Sequence, residues 1–373
     1  IANYLKDWCE ENGYDLYSSG LKIYTTIDTR MQKYAEDAAK KQMKQVQQNF
    51  NNHWGIYRNQ TSNWLRQDPW QDENHQVIPN FIQQIAERQP FYKALLARFP
   101  NNPDSVNYYY KEWKHPVKVF DYDKGTITKE MTSEDSIKYM TTFMHCAFVA
   151  MEPQTGAVKA WVGDIDFNSW KYDKVTAMRQ PGSTFKLFVY TEAMNQGLTP
   201  CDKRRDEYIS MQVYDKKQHK EVTWTPRNAN GSFSGDSIPL KSAFAKSINS
   251  VAVRLGQEMG IKRIIETAKK MGITSPLDDK PSLALGSSDV TLLQMVNAYC
   301  VIADNGKHHD PVLVTRILDK DGNEVYVGPT KSEQVIPYKS AFLMQQMLQG
   351  GLREPGGTSQ SLLGYVGNYR DTE

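Results

Sequence analysis

The sequence has 373 residues, 39% of them hydrophobic and 24% charged, with a formal net charge of +2. That length predicts two or three domains, each able to bury its own core, and a charge so near balance leaves no electrostatic footprint for nucleic acid. Eight Trp, 21 Tyr and 13 Phe exclude a disordered chain, while no run approaches the roughly 18 apolar residues that span a bilayer.

The chain starts at Ile1 with no basic-then-apolar leader, and it reads as a soluble piece of something longer. Cys9, Cys146, Cys201 and Cys300 lie far apart, with no C-x-x-C pair and no His at zinc-ligand spacing. Cys146 and Cys300 sit in apolar stretches, as small core residues do. Sequence alone sets no disulfide geometry, so the redox compartment stays open.

Residues 21–27 (LKIYTTI) are β-branched and aromatic and predict a short strand. Thr29 with Gln32 forms a capping-box pattern, after which Met31, Ala35, Ala39, Met43, Val46 and Phe50 recur at helical spacing. From 51 to 116 the character changes: Trp54, Trp64, Trp70, Phe81, Phe91, Tyr92, Phe99, Trp113 and Tyr108-Tyr109-Tyr110 sit among Asn, Gln and Pro. Residues 78–98 have helical periodicity broken by Pro90. We expect a small helical insertion whose aromatics pack on one another; the competing reading is a docking face for a partner or a sugar polymer.

Beyond it, residues 117–122 and 126–129 predict a hairpin around Asp123-Lys124-Gly125. A second hairpin, 147–151 and 157–162, turns at Pro153-Gln154-Thr155-Gly156. Helices are predicted over 185–195, 240–259, 262–271 and 290–304, the last opened by Thr291 with Gln294 and closed by Asn305-Gly306. Strands return at 313–318 and 325–327 around Lys320-Asp321-Gly322-Asn323. A helix over 341–348 is then stopped by Gly350-Gly351. Strands at both ends of a helical middle predict an α+β fold.

The most informative segment is Arg179-Gln180-Pro181-Gly182-Ser183-Thr184-Phe185-Lys186. Ser183 and Lys186, three apart where a turn enters a helix, share a face. A serine is a poor nucleophile until a base takes its proton, and a partly desolvated lysine does this. The helix N-terminus adds positive potential where an oxyanion would form. Alone, S-x-x-K arises by chance and is otherwise a solvated helix face. Ser247-Ile248-Asn249 is equally weak alone: on a turn, Ser247 would pass a proton and Asn249 bind an amide, and on a helix both are surface residues.

Other clusters count for less. His308-His309-Asp310 sits in a polar loop and is a poor metal site, and we expect no metal and no cofactor. Lys203-Arg204-Arg205 and Lys216-Lys217 read as solvated surface. Asp164, Asp166 and Asp173 are explained by a loop after the second hairpin.

Together the two motifs stop being weak. RQPGSTFKLFVYTEAMNQGLTP (179–200), WTPRNANGSFSGDSIPLKSAFAKSINSVAVRLG (224–256), LALGSSDVTLLQMVNAYCVIADNG (283–306) and AFVAMEPQTGAVKAWVG (147–163) occur in an order and separation that resemble the transpeptidase half of a class A penicillin-binding protein. GLKIYTTIDTRMQ (20–32) resembles the linker after that family's glycosyltransferase domain. The resemblance implies a serine β-lactamase/transpeptidase-like fold, a five-stranded antiparallel sheet flanked by helices with a helical subdomain. It implies Ser183 as the acylated nucleophile, with Gly182 beside it in the substrate site. Lys186 would be the general base, Ser247 the relay to the leaving D-alanine, and Asn249 the holder of the substrate amide. Implied partners are peptidoglycan stem peptides ending in D-Ala-D-Ala, β-lactams and other cell-wall synthesis proteins. The implied location is the extracytoplasmic face of the cell membrane, through an anchor outside this chain.

On this reading residues 1–50 are a linker module following an absent glycosyltransferase domain, 51–116 the insertion, and 117–373 the transpeptidase domain. The family's Lys-Thr/Ser-Gly motif is not in the sequence. Gly356-Gly357-Thr358-Ser359 lacks the lysine and better resembles the small-residue segment before it, so we expect the domain to stop short of that strand. A β-lactam sensor or an inactive cell-wall scaffold is the alternative. A β-lactamase is disfavoured because no residue is nominated to deacylate.

Overall fold

Asp28 opens the long helix Thr29–Trp54: its carboxylate accepts from the N–H groups of Arg30 and Met31 at 2.9 and 3.1 Å. This corrects the predicted cap, because Thr29 is already helical and Gln32 is engaged elsewhere. The Gln32 side chain accepts from Trp161 N at 2.7 Å and donates to Trp161 O at 2.9 Å. A carboxylate one residue earlier is the better partner for the positive end of a helix. The computed structural model describes residues 2–54, 70–72, 76–215 and 219–366.

Two units divide the described chain. One takes the residues up to 32, 149–161 and those from 174 on; the other takes 33–148 and 162–173. These units do not coincide with the boundaries drawn at 50/51 and 116/117, because the hairpin and helix after residue 115 belong with the aromatic helices before it.

In the second unit, Gln89 is extended, as a residue before proline must be, and separates Phe81–Arg88 from Pro90–Arg98. The aromatics pack on one another as expected. Tyr110, 1% exposed, meets Tyr92 edge-on at 5.3 Å, and Phe99 stacks on Tyr109 at 5.3 Å. Trp64 lies outside the described residues. The predicted hairpin pairs His115–Asp121 with Gly125–Met131 in unbroken register. Fully buried Phe120 anchors it inside a cage of Tyr122, Phe143 and Trp170 rings. Asp164 turns inward to His145 Nδ1 at 3.0 Å, and Asp166 accepts from Ser169 N at 2.8 Å, so neither is a spare catalytic carboxylate.

The first unit is built on helix Lys186–Asn195, which buries every residue from Lys186 to Met194. A helix apolar on nearly every face must be enclosed, and Asn249–Met259, Ile261–Lys270, Leu292–Ala303 and Tyr338–Arg353 enclose it. Thr291 caps Leu292–Ala303 as predicted, accepting from Gln294 N at 3.2 Å, and Gly306, at φ 92°, closes it. Two predicted helices need correction. The 240–259 segment is two helices, Leu240–Ala245 and Asn249–Met259. Tyr338–Arg353 runs through Gly350-Gly351 and stops where Glu354, extended, precedes Pro355. Gly350 serves close packing instead: a Cβ there would lie 3.6 Å from Ala245 Cβ.

The five-stranded sheet implied by the resemblance is not present among the described residues. The widest sheet has three antiparallel strands, in the order Lys22–Thr25, Val314–Leu318, Glu324–Val327. Phe148–Met151 pairs with Val158–Val162 alone. Lys307–His309 pairs with Ser332–Gln334 in a separate two-stranded sheet, and beyond Arg353 the described chain forms only short helical turns. Thr26 Oγ1 ties the two sheets, donating to Val158 O at 2.7 Å and Val312 O at 2.8 Å. Lys307–His309 is a strand rather than a loop. Its His308 bonds Asn297 and its His309 bonds Asp304, each at 2.9 Å. Arg204 is not free surface, since Glu258 grips it at 2.5 Å; Lys216-Lys217 lie outside the described residues.

Candidate active site

Ser183 sits in the 3₁₀ turn Gly182–Phe185, which runs directly into helix Lys186–Asn195. In a 3₁₀ turn residues three apart eclipse, so Ser183 and Lys186 are stacked along one side. Ser183 is exposed while Lys186 is only 2% exposed. The turn needs Gly182, at φ 58°, and it is braced from behind by Pro281–Leu285. The fit there is tight: a Cβ on Gly286 would lie 2.2 Å from Gly182 O. Arg179 and Val290 exchange backbone bonds at 3.0 and 2.9 Å, and Tyr299 donates to Thr184 O at 3.2 Å. The LALGSS segment (283–288) is therefore the support of the Ser183 turn.

The Lys186 ammonium has three acceptors: Ser247 O at 2.8 Å, Ser247 Oγ at 2.9 Å and Asn249 Oδ1 at 2.7 Å. Among the described residues no carboxylate pairs with it. A buried, uncompensated cation favours its neutral form, and burial pushes Lys186 down to about 8. Ser247 is held in the left-handed region at φ 55°, which breaks the predicted helix and turns its hydroxyl and carbonyl toward Lys186. That strain is typical of functional turns. It is maintained by Ser247 N to Phe244 O at 3.0 Å and Ile248 N to Ala243 O at 2.9 Å.

The sequence-predicted residues Gly182, Ser183, Lys186, Ser247 and Asn249 thus meet at one place. Ser183 makes no side-chain hydrogen bond among the described residues, so the hydroxyl faces outward beside a lysine already oriented by Ser247 and Asn249. Sequence reasoning missed Asn228 and Asp206, which hold the Asn249 end; their only signal was Asn228 within the quoted 224–256 block. Thr358 N donates to Ala245 O at 3.0 Å, so Gly356-Gly357-Thr358-Ser359 lies against the helix that leads to Ser247. No group of three or more metal-ligating side chains occurs among the described residues, and none of them forms a helix long and apolar enough to cross a membrane.

A turn-borne serine, a desolvated lysine one helical step on and a strained Ser-x-Asn turn are the groups that a serine acyl transfer would need. The family model described as penicillin-binding protein transpeptidase domain matches residues 146–368, and this chain belongs to that family. A second model, the penicillin-binding protein middle domain, matches residues 65–144. Penicillin-binding protein 2D of Bacillus subtilis (strain 168) is 37% identical over 54% of this chain and 29% of its own length. Penicillin-binding protein 1A of Neisseria lactamica is 28% identical over 95% of this chain and 46% of its own length. This chain therefore spans less than half of either relative. The crystal structure of penicillin-binding protein 1A from Haemophilus influenzae superposes on all of this chain and 60% of its own, with a TM-score of 0.64 at 20% identity. That likeness establishes a shared fold.

Proposed function

We propose that this chain is the D,D-transpeptidase region of a class A penicillin-binding protein, acting on stem peptides ending in D-Ala-D-Ala and acylated by β-lactams. The observation that carries the reading is the Lys186 ammonium, buried and bonded to both Ser247 and Asn249 next to exposed Ser183. In its neutral form Lys186 takes the Ser183 proton as Oγ attacks the penultimate D-Ala carbonyl. The positive end of the helix stabilises the oxyanion. The proton passes by way of Ser247 Oγ to the leaving amine of the terminal D-alanine, and the peptidyl ester remains on Ser183. An amine of a neighbouring strand then attacks that ester, forming the cross-link and returning the proton to Ser183; water in its place gives carboxypeptidase activity. With a β-lactam the amide C–N bond opens, the ring nitrogen keeps the proton, and no leaving group departs.

Asn249 Nδ2 donates to Arg227 O at 2.8 Å and its Oδ1 faces Lys186. It therefore meets a substrate amide with its second Nδ2 hydrogen or with the remaining lone pair of Oδ1. The working place of such a domain is the extracytoplasmic face of the membrane, among other cell-wall synthesis proteins. The test is an intact-mass spectrum before and after benzylpenicillin, with peptide mapping. A stable one-equivalent adduct on Ser183 is expected. An adduct elsewhere, or rapid loss of the drug with no adduct accumulating, overturns the transpeptidase assignment.

A further inference from the structure

Helix Asn249–Met259 begins without a cap of its own, because Ile248 makes no side-chain bond to it. Its first two N–H groups point at Asn228 Oδ1 instead, Asn249 N at 3.0 Å and Ser250 N at 3.2 Å. The amide of Asn228 turns its Nδ2 to Asp206 Oδ1 at 2.7 Å and to Ser232 O at 2.9 Å. Asp206 is 4% exposed and also accepts from Ser250 Oγ at 2.6 Å and Ser234 N at 2.9 Å. Burial pushes its carboxyl up, yet the bonds from Ser250, Ser234 and Asn228 hold it below the ordinary range. It is ionised at neutral pH.

Chemistry fixes the orientation of both amides. A carboxylate only accepts, so Asn228 must present Nδ2 to Asp206 and Oδ1 to the helix; an ammonium only donates, so Asn249 must present Oδ1 to Lys186. The bonds lead from Asp206 to the Asn228 amide, from Asn228 Oδ1 to the backbone N–H of Asn249, and from the Asn249 side chain to Lys186, a run that passes through the covalent frame of Asn249. A buried anion and a buried cation stand at its two ends. Neither has an ion-pair partner among the described residues; the nearby Arg204 and Arg205 pair with Glu258 and Glu207. Lys186 is faced by the oxygens of Ser247 and Asn249, and Asp206 by Ser250, Ser234 and Asn228.

We propose that Asp206 and Asn228 are positioning residues of the Ser183 site, an anionic anchor that fixes the Ser247–Asn249 turn against Lys186 through two asparagines in series. Neither touches the reacting atoms. The inference rests on the transpeptidase reading, and it adds the residues that decide where the base and the relay stand.

The test uses the intact protein and two readouts: the rate of Ser183 acylation by a fluorescent penicillin, and the titration midpoint of Lys186 followed by NMR at its Cε. Asn228→Ala is expected to slow acylation about tenfold to a hundredfold, the usual effect of a misplaced catalytic group, and to move the Lys186 midpoint. The exchange pair, Asp206→Asn with Asn228→Asp, restores the bond between residues 206 and 228 and keeps an oxygen for Asn249 N and Ser250 N, although it loses the donor to Ser232 O, and it is expected to recover part of the rate. It also brings the carboxylate one residue closer to Lys186, so the midpoint should rise. A merely structural role predicts rates that follow the folded fraction and a fixed midpoint.

Acylation of Asn228→Ala at the unaltered rate overturns the proposal. So does an exchange pair that melts like the unaltered protein but acylates no faster than Asn228→Ala. Should Asn228→Ala not fold, Asn228→Ser, which keeps an oxygen for the two N–H groups but loses the donor to Asp206, is read in its place. If the unaltered protein never acylates, the transpeptidase reading fails. The Lys186 midpoint then judges this inference alone, with an unchanged midpoint refuting it and a shifted one supporting it.

Discussion

Lys186 concentrates the chemistry of the site in one titration. Burial brings its ammonium from 10.5 to about 8, and in the proposed mechanism only the neutral amine accepts the Ser183 proton. Acylation by a β-lactam should therefore climb as pH rises through about 8 and then level off. The stability effect has the same sign, because the unfolded chain holds this proton up to 10.5 while the folded chain releases it at about 8. Unfolding thus takes up a proton in that window, and the contribution of Lys186 to stability improves with pH across it. Lys186→Met should lower the acylation rate by about two to four orders of magnitude, measured with a fluorescent penicillin, and should remove the pH step near 8.

Gly286 is the second residue at this scale. It has φ 75°, and a Cβ would lie 2.2 and 2.6 Å from Gly182 O and N. Gly286→Ala forces the backbone beside Ser183 to move. Strain at the positive φ alone costs about 1–3 kcal/mol, and the displaced turn should lose acylation beyond what the lower melting temperature explains.

At the scale of elements, the end of helix Tyr338–Arg353 separates two kinds of glycine. Gly350 lies inside the helix, where a Cβ would meet Glu354 Cγ at 3.4 Å and Ala245 Cβ at 3.6 Å, ordinary contact for a flexible side chain and a methyl. Gly350→Ala should be neutral or stabilise by up to about 1 kcal/mol, the helix-propensity difference. Gly357 is different, since a Cβ there would lie 2.3 Å from Gly351 O. Gly357→Ala should lower the thermal midpoint and loosen the 356–359 segment from Ala245, seen as faster amide exchange at Thr358. Both residues were legible in the sequence only as glycines. A stop signal and a packing position carry the same letter, and the difference lies in which backbone comes alongside.

The helix predicted over 240–259 fails for a related reason. Its apolar periodicity continues through Ser247, but the turn is held open by contacts to Lys186 and Asn228 from distant parts of the chain. Tertiary bonds outweigh local propensity there. The capping error at Thr29 has the opposite origin, because the winning partner, Asp28, was adjacent in sequence and the Gln32 side chain was drawn away to Trp161.

At the scale of the whole molecule, each unit has its own core. Helix Lys186–Asn195 lies at the centre of one, and Phe120, with no exposed surface, is caged by aromatic rings in the other. Phe120→Ala should cost the second unit about 3–5 kcal/mol, the range for removing a buried Phe. Near-UV circular dichroism, dominated by that unit's Trp and Tyr clusters, is the measurement. Melting of those bands unchanged from the unaltered protein would sink the claim that Phe120 centres this core.

What the sequence by itself determined is the placing of Ser183 and Lys186 on one side of a helix entrance and, from the run of elements, the α+β class. Those features are local, set by spacing along a few residues, and spacing is fully written in the chain. Tertiary structure alone decided the sheet partners, the division into units, the reason for each glycine and the anchor at Asp206. These depend on which residues far apart in sequence come within about 3 Å of one another, a property of packing that no single segment encodes.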